Sequence, residues 1–404
     1  MFSALRHPQF RRFWLGNLAA VGGQQMMWVA QGWLVYDLTK EAVYLGYVGL
    51  ATALPAILLN LVGGVVADRL DQRKVILITQ AITAAVVGSL AALIVLDVIQ
   101  VWHIILGAFI SGCMQAFNNP ARQSIFPQLV DRKDLMNAVA LNSIVWQGAR
   151  IVAPALGGVV LAAFGPAATY GLCSAGFLLL GVVVIGLKTE VAARSRPASP
   201  LTDLKEGVRF IAANFLFAFL IGMSFFNSFF GFSTQQLMPV FTEDVFHVGK
   251  QWIGILLSVS GVGSIVGIAA LGYAGDVERK GLLIVGGAAA FGGFIILFAL
   301  SDSMPFALVL MFLMGAAGSI YMITVQTTLQ LRVPDELRGR VMGIYGVTYN
   351  VGPLGALQAG IIADTFSAPT AFIVSGAAIM LFALGVAYSN REVRTLQSAV
   401  SSPA

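Results

Sequence analysis

Between Ile151 and Leu187 the chain runs for 37 residues without a single Asp, Glu, Lys or Arg. Nothing in the sequence constrains the fold more. A helix rises about 1.5 Å per residue and crosses a ~30 Å hydrocarbon core in about 20 residues. The run therefore holds most of one span, a tight turn and most of another. The pattern is general: 58% of the 404 residues are hydrophobic and 11% are charged, where a soluble domain carries about 25% charged residues. Mean hydropathy is +0.84. The chain reads as an all-α, polytopic membrane protein, and its 44 glycines suit close helix packing in lipid.

Apolar stretches of this length mark twelve helices. Six lie near 12–36, 43–67, 75–96, 102–121, 135–164 and 167–187, and six near 214–241, 251–274, 282–301, 304–328, 338–363 and 369–389. The expected organisation is a six-helix half over 1–188, a linker over 189–213, a second six-helix half over 214–390 and a tail over 391–404. The linker opens on the Pro/Ser-rich RSRPASP. It continues with Leu201, Leu204, Val208 and Ile211 at helical spacing, a pattern for a helix lying along the membrane surface. Of the 24 Lys and Arg residues, 21 fall on one side of this arrangement, Arg122 among them. Lys40 and Lys250 fall on the other, and Arg150 falls inside a span. By the positive-inside rule both termini and the linker are cytoplasmic. Arg6, Arg11 and Arg12 precede a first span running to about Tyr36, too long for a cleavable signal. Cys113 and Cys173 lie in apolar segments and read as small packing residues.

The sharpest interruption is GGVVADRLDQRK, Gly63 to Lys74, where five of the seven residues after Ala67 are charged. It returns as GYAGDVERK, so that Gly64 and Asp68 map onto Gly272 and Asp276 at an offset of 208 residues. At the same offset LGYVGLATALPAILLNLVGGVVAD, from Leu45, aligns without a gap with IGILLSVSGVGSIVGIAALGYAGD, from Ile253. A second echo pairs VDRKDLMNAVAL, from Val130, with VPDELRGRVMGI, from Val333. Two parallel six-helix halves are a transporter plan, with the solute held near the midplane. Asp68, beside Arg69, Arg73 and Lys74, could pair with a cation or with a neighbouring helix N-terminus and so latch one face shut. It could equally be a solvated topology marker; the second copy, Gly272, Asp276 and Arg279, favours the latch.

Gly64-x-x-x-Asp68-Arg69 followed by Arg73-Lys74 resembles the signature loop of the major facilitator superfamily, with Asp71 and Gln72 at two positions where that loop usually carries Gly and a basic residue. NPARQSIFPQLV, from Asn119, and ARIVAPALGG, from Ala149, resemble the enterobactin-exporter and macrolide-efflux branch of its drug:proton antiporters. The resemblance implies the major facilitator fold, secondary active export of amphipathic small molecules such as a siderophore or drug, proton-coupled antiport by alternating access, and the bacterial inner membrane.

Inside the spans the candidate chemistry is sparse. Arg150, about 15 residues into the fifth helix, is an intramembrane cation able to hold an anionic solute group or an interhelical acceptor. Pro154, Gly157 and Gly158 permit a kink close to it. Mid-depth amides and aromatics include Gln24, Gln25, Trp28 and Gln31 on the first helix, Gln115 and Asn118 on the fourth, and Trp146 and Gln147 on the fifth. Phe226 and Asn227 lie in FFNSFFGF on the seventh, and Gln326, Tyr345, Tyr349 and Asn350 on the tenth and eleventh. Amides in lipid need partners and face a bundle interior, which points to an amide- and aromatic-lined cavity for a bulky solute. No carboxylate falls mid-membrane; Asp37, in LVYDLTK, is the best proton candidate, and an interfacial cap is its commoner role. No phosphate-binding loop, metal-ligand spacing or hydrolytic triad is present, so no enzyme activity, cofactor or metal is expected. The expected partners are the lipid bilayer, a small-molecule solute and protons, with no nucleic acid, for a monomer. A lipid flippase or importer on the same scaffold, or a non-transporting membrane sensor or scaffold, are the alternatives.

Overall fold

The computed structural model describes residues 3–187, 200–275, 277, 279–348, 351–394 and 396. The linker residues 188–199, Asp276, Tyr349 and Asn350 lie outside the described residues, as do the side chains of Asp68, Arg69 and Gln147. In the first half, α1 is Pro8–Thr39, α2 Val43–Arg69, α3 Gln72–Val95, α4 Val101–Ile125 and α5 Leu135–Ile185. The linker helix is α6, Pro200–Ala213. In the second half α7 is Phe215–Phe226, α8 Gln251–Ala274, α9 Lys280–Ala299, α10 Met304–Arg332, α11 Asp335–Thr348, α12 Gly352–Thr365 and α13 Ala368–Ser389.

The 51 residues of α5 are two spans joined end to end. Gly165 breaks them with φ 79° and ψ 177°, a backbone geometry open to glycine, and Pro166 follows it. α7 does not end cleanly either: a π-helical turn at Asn227–Gly231 and a second at Phe241–Val245 carry the same apolar stretch onward. α11 and α12 are the two described pieces of one further span. Eight helical runs among the described residues are long and apolar enough to cross a membrane by themselves. Counting α5 as two and adding α1, α2 and the α11–α12 pair gives twelve spans in two pseudo-symmetric sets of six, the major facilitator fold.

The chain divides into two packing units. The first takes residues 1–40, 47–196 and 248–258, and the second takes 41–46, 197–247 and 259–404. Each therefore includes a short segment from the other half of the sequence. In the first unit α1 and α3 both pack on α5, and α3 also packs on α4; in the second, α9 packs against α10 and α13. The linker helix docks in the second unit, where Gly207 sits against Ile344 and Arg340 of α11 and Arg340 pairs with Glu206 at 2.6 Å.

Helix ends are finished by local chemistry. Pro8 and Pro369 occupy first turns, where a missing N–H costs nothing. Asp71 caps α3, accepting from Arg73 N–H at 3.0 Å, and the Arg73 guanidinium returns to its carboxylate at 2.9 Å. That hydrogen bond from Arg73 holds the Asp71 carboxyl below its usual range. Arg73 also donates to the Leu187 carbonyl at 2.7 Å, tying the start of α3 to the end of α5. One of the two residues that depart from the resembled loop, Asp71, is thus the cap of the next helix.

Candidate functional site

In the first unit the polar residues of α1, α3 and α4 meet along two adjoining narrow crevices. One has Gln24, Gln80, Thr83, Gln115, Asn118 and Arg122 on its walls. The next is lined in part by Trp28, Gln31, Thr52 and Tyr170. They share Met27, Ser111 and Gln115, so together they form one polar track. No Asp or Glu lines either crevice among the described residues.

The packing that builds the track follows from the sequence. Small residues let α1 and α5 approach closely: Gly23 lies against the Cys173 backbone and Gly157 against Met26. That leaves the amide stripe of α1 turned toward α3 and α4. Asn118 donates to the Thr79 hydroxyl at 2.7 Å, and Ser174 donates to the Ala84 carbonyl at 2.8 Å. The Tyr170 hydroxyl is fully buried on the track and has no hydrogen-bond partner among the described residues. A buried hydroxyl without a partner is costly, so this position calls for a water or another polar group.

Arg122 is the residue that sequence reasoning missed. Counted among the flanking basic residues, it sits instead in the last turn of α4, partly buried. Its guanidinium donates to the side-chain oxygens of Asn17 and Asn118 and stacks over the Trp146 ring at 5.6 Å. Trp146 in turn packs on a core of Val21, Val145 and Ala149. The available signal was Asn118 and Asn119 immediately before Pro120-Ala-Arg122: amides and a cation one helical turn apart, facing the same way.

The other expected residues are dispersed. Gln24, Trp28, Gln31 and Gln115 line the track; Gln25 is buried without lining it, and Trp146 reaches it through Arg122. Arg150 is exposed on α5, four residues before Pro154 and eight before Gly158. Phe226 and Asn227 belong to the second unit, where Phe226 stacks on Phe382 with centroids 4.1 Å apart, and Phe225 on Phe229 at 5.7 Å. Asp37 forms an exposed pair with Lys40 at 3.2 Å at the end of α1. Gly64 and Gly272 have open space where a side chain would stand, and Arg279 is exposed at the start of α9.

Twelve spans in two six-helix sets are the architecture of a major facilitator transporter. Over residues 1–404 the chain matches the transmembrane secretion effector family of that superfamily, and it belongs to that family. It is 26% identical over 385 residues to the staphyloferrin A transporter of Staphylococcus aureus, covering 91% of this chain and 93% of that one. It is 25% identical over 384 residues to the enterobactin exporter EntS of Citrobacter koseri, covering 94% and 91%. It is 26% identical over 396 residues to the multidrug efflux pump Tap of Mycolicibacterium fortuitum, covering 91% and 92%. Among solved structures, a bacterial homologue of the lysosomal transporter Spinster in an inward-facing conformation superposes with a TM-score of 0.77 at 14% identity, covering 99% of both chains. The nucleoside transporter NupG superposes at 0.76 with 15% identity, covering 94% and 99%.

Proposed function

We propose that this protein is a secondary active exporter of amphipathic small molecules, of the siderophore or drug type, working by alternating access and driven by proton antiport. The polar track carries the reading: a donor-rich wall of amides and hydroxyls inside a membrane unit is built to hold a solute, since lipid offers nothing for those amides to bond. The names of the relatives, two siderophore transporters and a drug pump, support the same solute class. In the first unit Gln24, Gln31, Gln115 and Trp28 are the binding residues for polar groups of the solute, and in the second unit Phe226 and its neighbouring phenylalanines are the candidates for apolar groups. Arg150 acts in binding or coupling. Asp37 is the proton-carrying candidate, and Asp68 with its counterpart Asp276 latches the cytoplasmic face. The chain lies in the bacterial inner membrane as a monomer, with both termini cytoplasmic.

Inside-out vesicles carrying the full chain provide the test. Adding a panel of iron-chelating and drug-like compounds outside the vesicles, with and without a proton ionophore, is expected to give uptake that the ionophore abolishes. Uptake that persists with the ionophore would remove proton antiport; no uptake of any compound above empty vesicles would remove export.

A further inference from the structure

The polar track is asymmetric in charge, and that asymmetry narrows its ligand. Its walls carry amides and hydroxyls and a single cation, Arg122, with no carboxylate among the described residues. A guanidinium has five N–H donors. Those of Arg122 reach two neutral amide oxygens, on Asn17 and Asn118, and its face meets the Trp146 ring. Its charge is spread over dipoles and a π-face, and no anion among the described residues balances it. A cation set into a membrane helix in this way calls for an anionic partner. The amides also fix the guanidinium plane: Asn17 itself donates to Asn142 at 3.2 Å, and Asn118 to Thr79 at 2.7 Å, so neither amide can swing away freely.

From these observations we infer that Arg122 is an anion subsite of the track, taking a carboxylate of the transported solute while Gln24, Gln80 and Gln115 hold its neutral polar atoms. The inference rests on the exporter reading for the word transported, and on geometry alone for the word carboxylate. A planar monoanion matches one guanidinium bidentately, and a narrow crevice with one cation does not neutralise a multiply charged phosphate. Gln115 lies two helical turns from Arg122 along α4, about 10 Å at 1.5 Å per residue, which gives the spacing between the anionic and the neutral polar groups of the solute. Arg122 closes the track at the end where the α4 carboxyl terminus and the first turns of α1 and α3 lie; in the proposed orientation that is the cytoplasmic entrance, where an exporter must first capture its cargo.

The test uses the purified full chain in lipid nanodiscs with benzoate and its neutral isostere benzamide as probes, read by thermal shift and by fluorescence of the tryptophan stacked on Arg122. Benzoate is expected to raise the melting temperature saturably and to change the fluorescence, and benzamide to do neither at the same concentrations. Arg122→Gln should weaken benzoate binding at least tenfold and Arg122→Lys several-fold, since an ammonium cannot match a carboxylate bidentately; Trp146→Phe, which leaves the guanidinium in place, should keep the rise in melting temperature and abolish the fluorescence change. Equal responses to benzoate and benzamide, or undiminished benzoate binding in Arg122→Gln, overturn the subsite. If Arg122→Gln does not fold, Trp146→Phe decides: a benzoate-induced fluorescence change that survives the loss of Trp146 places the anion elsewhere and overturns the subsite. Vesicle uptake separates the two readings. Arg122-dependent benzoate binding with no uptake of any compound removes the exporter alone, and uptake without any benzoate preference removes the anion subsite alone.

Discussion

At the start of α2 and at the start of α8 the two units build the same joint with different chemistry. In the second unit the segment 41–46 is clasped by α12: Gly46 meets the Leu357 backbone, and Gly360 meets Ala42 and Val43. In the first unit the segment 248–258 is clasped by α5: Gly254 meets the Pro154 carbonyl and Gly158. Gly46 and Gly254 are separated by the 208 residues of the internal repeat. The glycines are the shared part of the design; the polar finish is not. Asp364 accepts from the backbone N–H of Ala42 at 2.6 Å and of Val43 at 2.8 Å, capping α2 from 322 residues away. The residue four positions after Gly158, as Asp364 is four after Gly360, is Ala162. The first unit instead sets Lys250 over the Trp33 ring at 4.6 Å. One joint is held by a carboxylate on a helix N-terminus, the other by close packing and a cation over a ring.

Removing the shared part should cost most. A Cβ on Gly46 would stand 2.4 Å from the Leu357 Cα, and one on Gly254 would stand 2.3 Å from the Pro154 carbonyl oxygen. Backbone cannot yield as a side chain can, so Gly46→Leu and Gly254→Leu are each expected to destabilise by about 3 kcal/mol, the upper end of ordinary overpacking. Apparent melting temperatures of the two purified variants check this. Similar falls support equivalent joints, and a tolerated Gly254→Leu beside a damaging Gly46→Leu breaks the equivalence.

The capped joint is the next to probe. Asp364→Ala should cost about 1 kcal/mol, as loss of a helix N-cap does, and should leave the other joint alone. Hydrogen exchange of the first turn of α2 is the sensitive readout: faster exchange there, with α8 unchanged, is the expected result. Asp364→Asn keeps one acceptor and should fall between. Unchanged exchange at Ala42 and Val43 would mean that packing alone holds both joints.

These joints show which parts of the molecule could be read ahead of the structure. Spans, their number and the repeat followed from hydropathy and from one offset, because burial in lipid demands long apolar runs whatever the tertiary detail. The break in α5 was legible in Gly165-Pro166, between the two expected spans. The amides Gln24, Gln31 and Gln115 were legible as interior, since lipid excludes them. Arg122 was not, because hydropathy places it among the basic residues that flank a span, and only the packing of α1, α4 and α5 brings Asn17 and Trp146 onto it. Asp364 read as one more acidic residue at a helix end; nothing local reveals that its partners are the N–H groups of Ala42 and Val43. Arg150, the expected intramembrane cation, lies exposed on α5 in the stripe that carries Pro154 and Gly158.

The smallest expected effect belongs to the joint that carries Lys250. A lysine over an indole at a partly exposed site contributes about 0.5–1 kcal/mol. The Lys250 ammonium has only donors and caps no N–H of α8, so its loss removes a charge–quadrupole contact and some stem packing on Trp33, and leaves no N–H stranded. Lys250→Met preserves the stem and deletes only the charge. It should therefore lower the melting temperature less than Asp364→Ala does, and added salt should shrink the difference between Lys250→Met and the wild-type chain. The Asp364 cap, formed by short hydrogen bonds to backbone, should respond to salt more weakly. If Lys250→Met proves the more damaging of the two, the first unit's joint depends on its charge as much as the second unit's does, and the contrast between packing and capping fails.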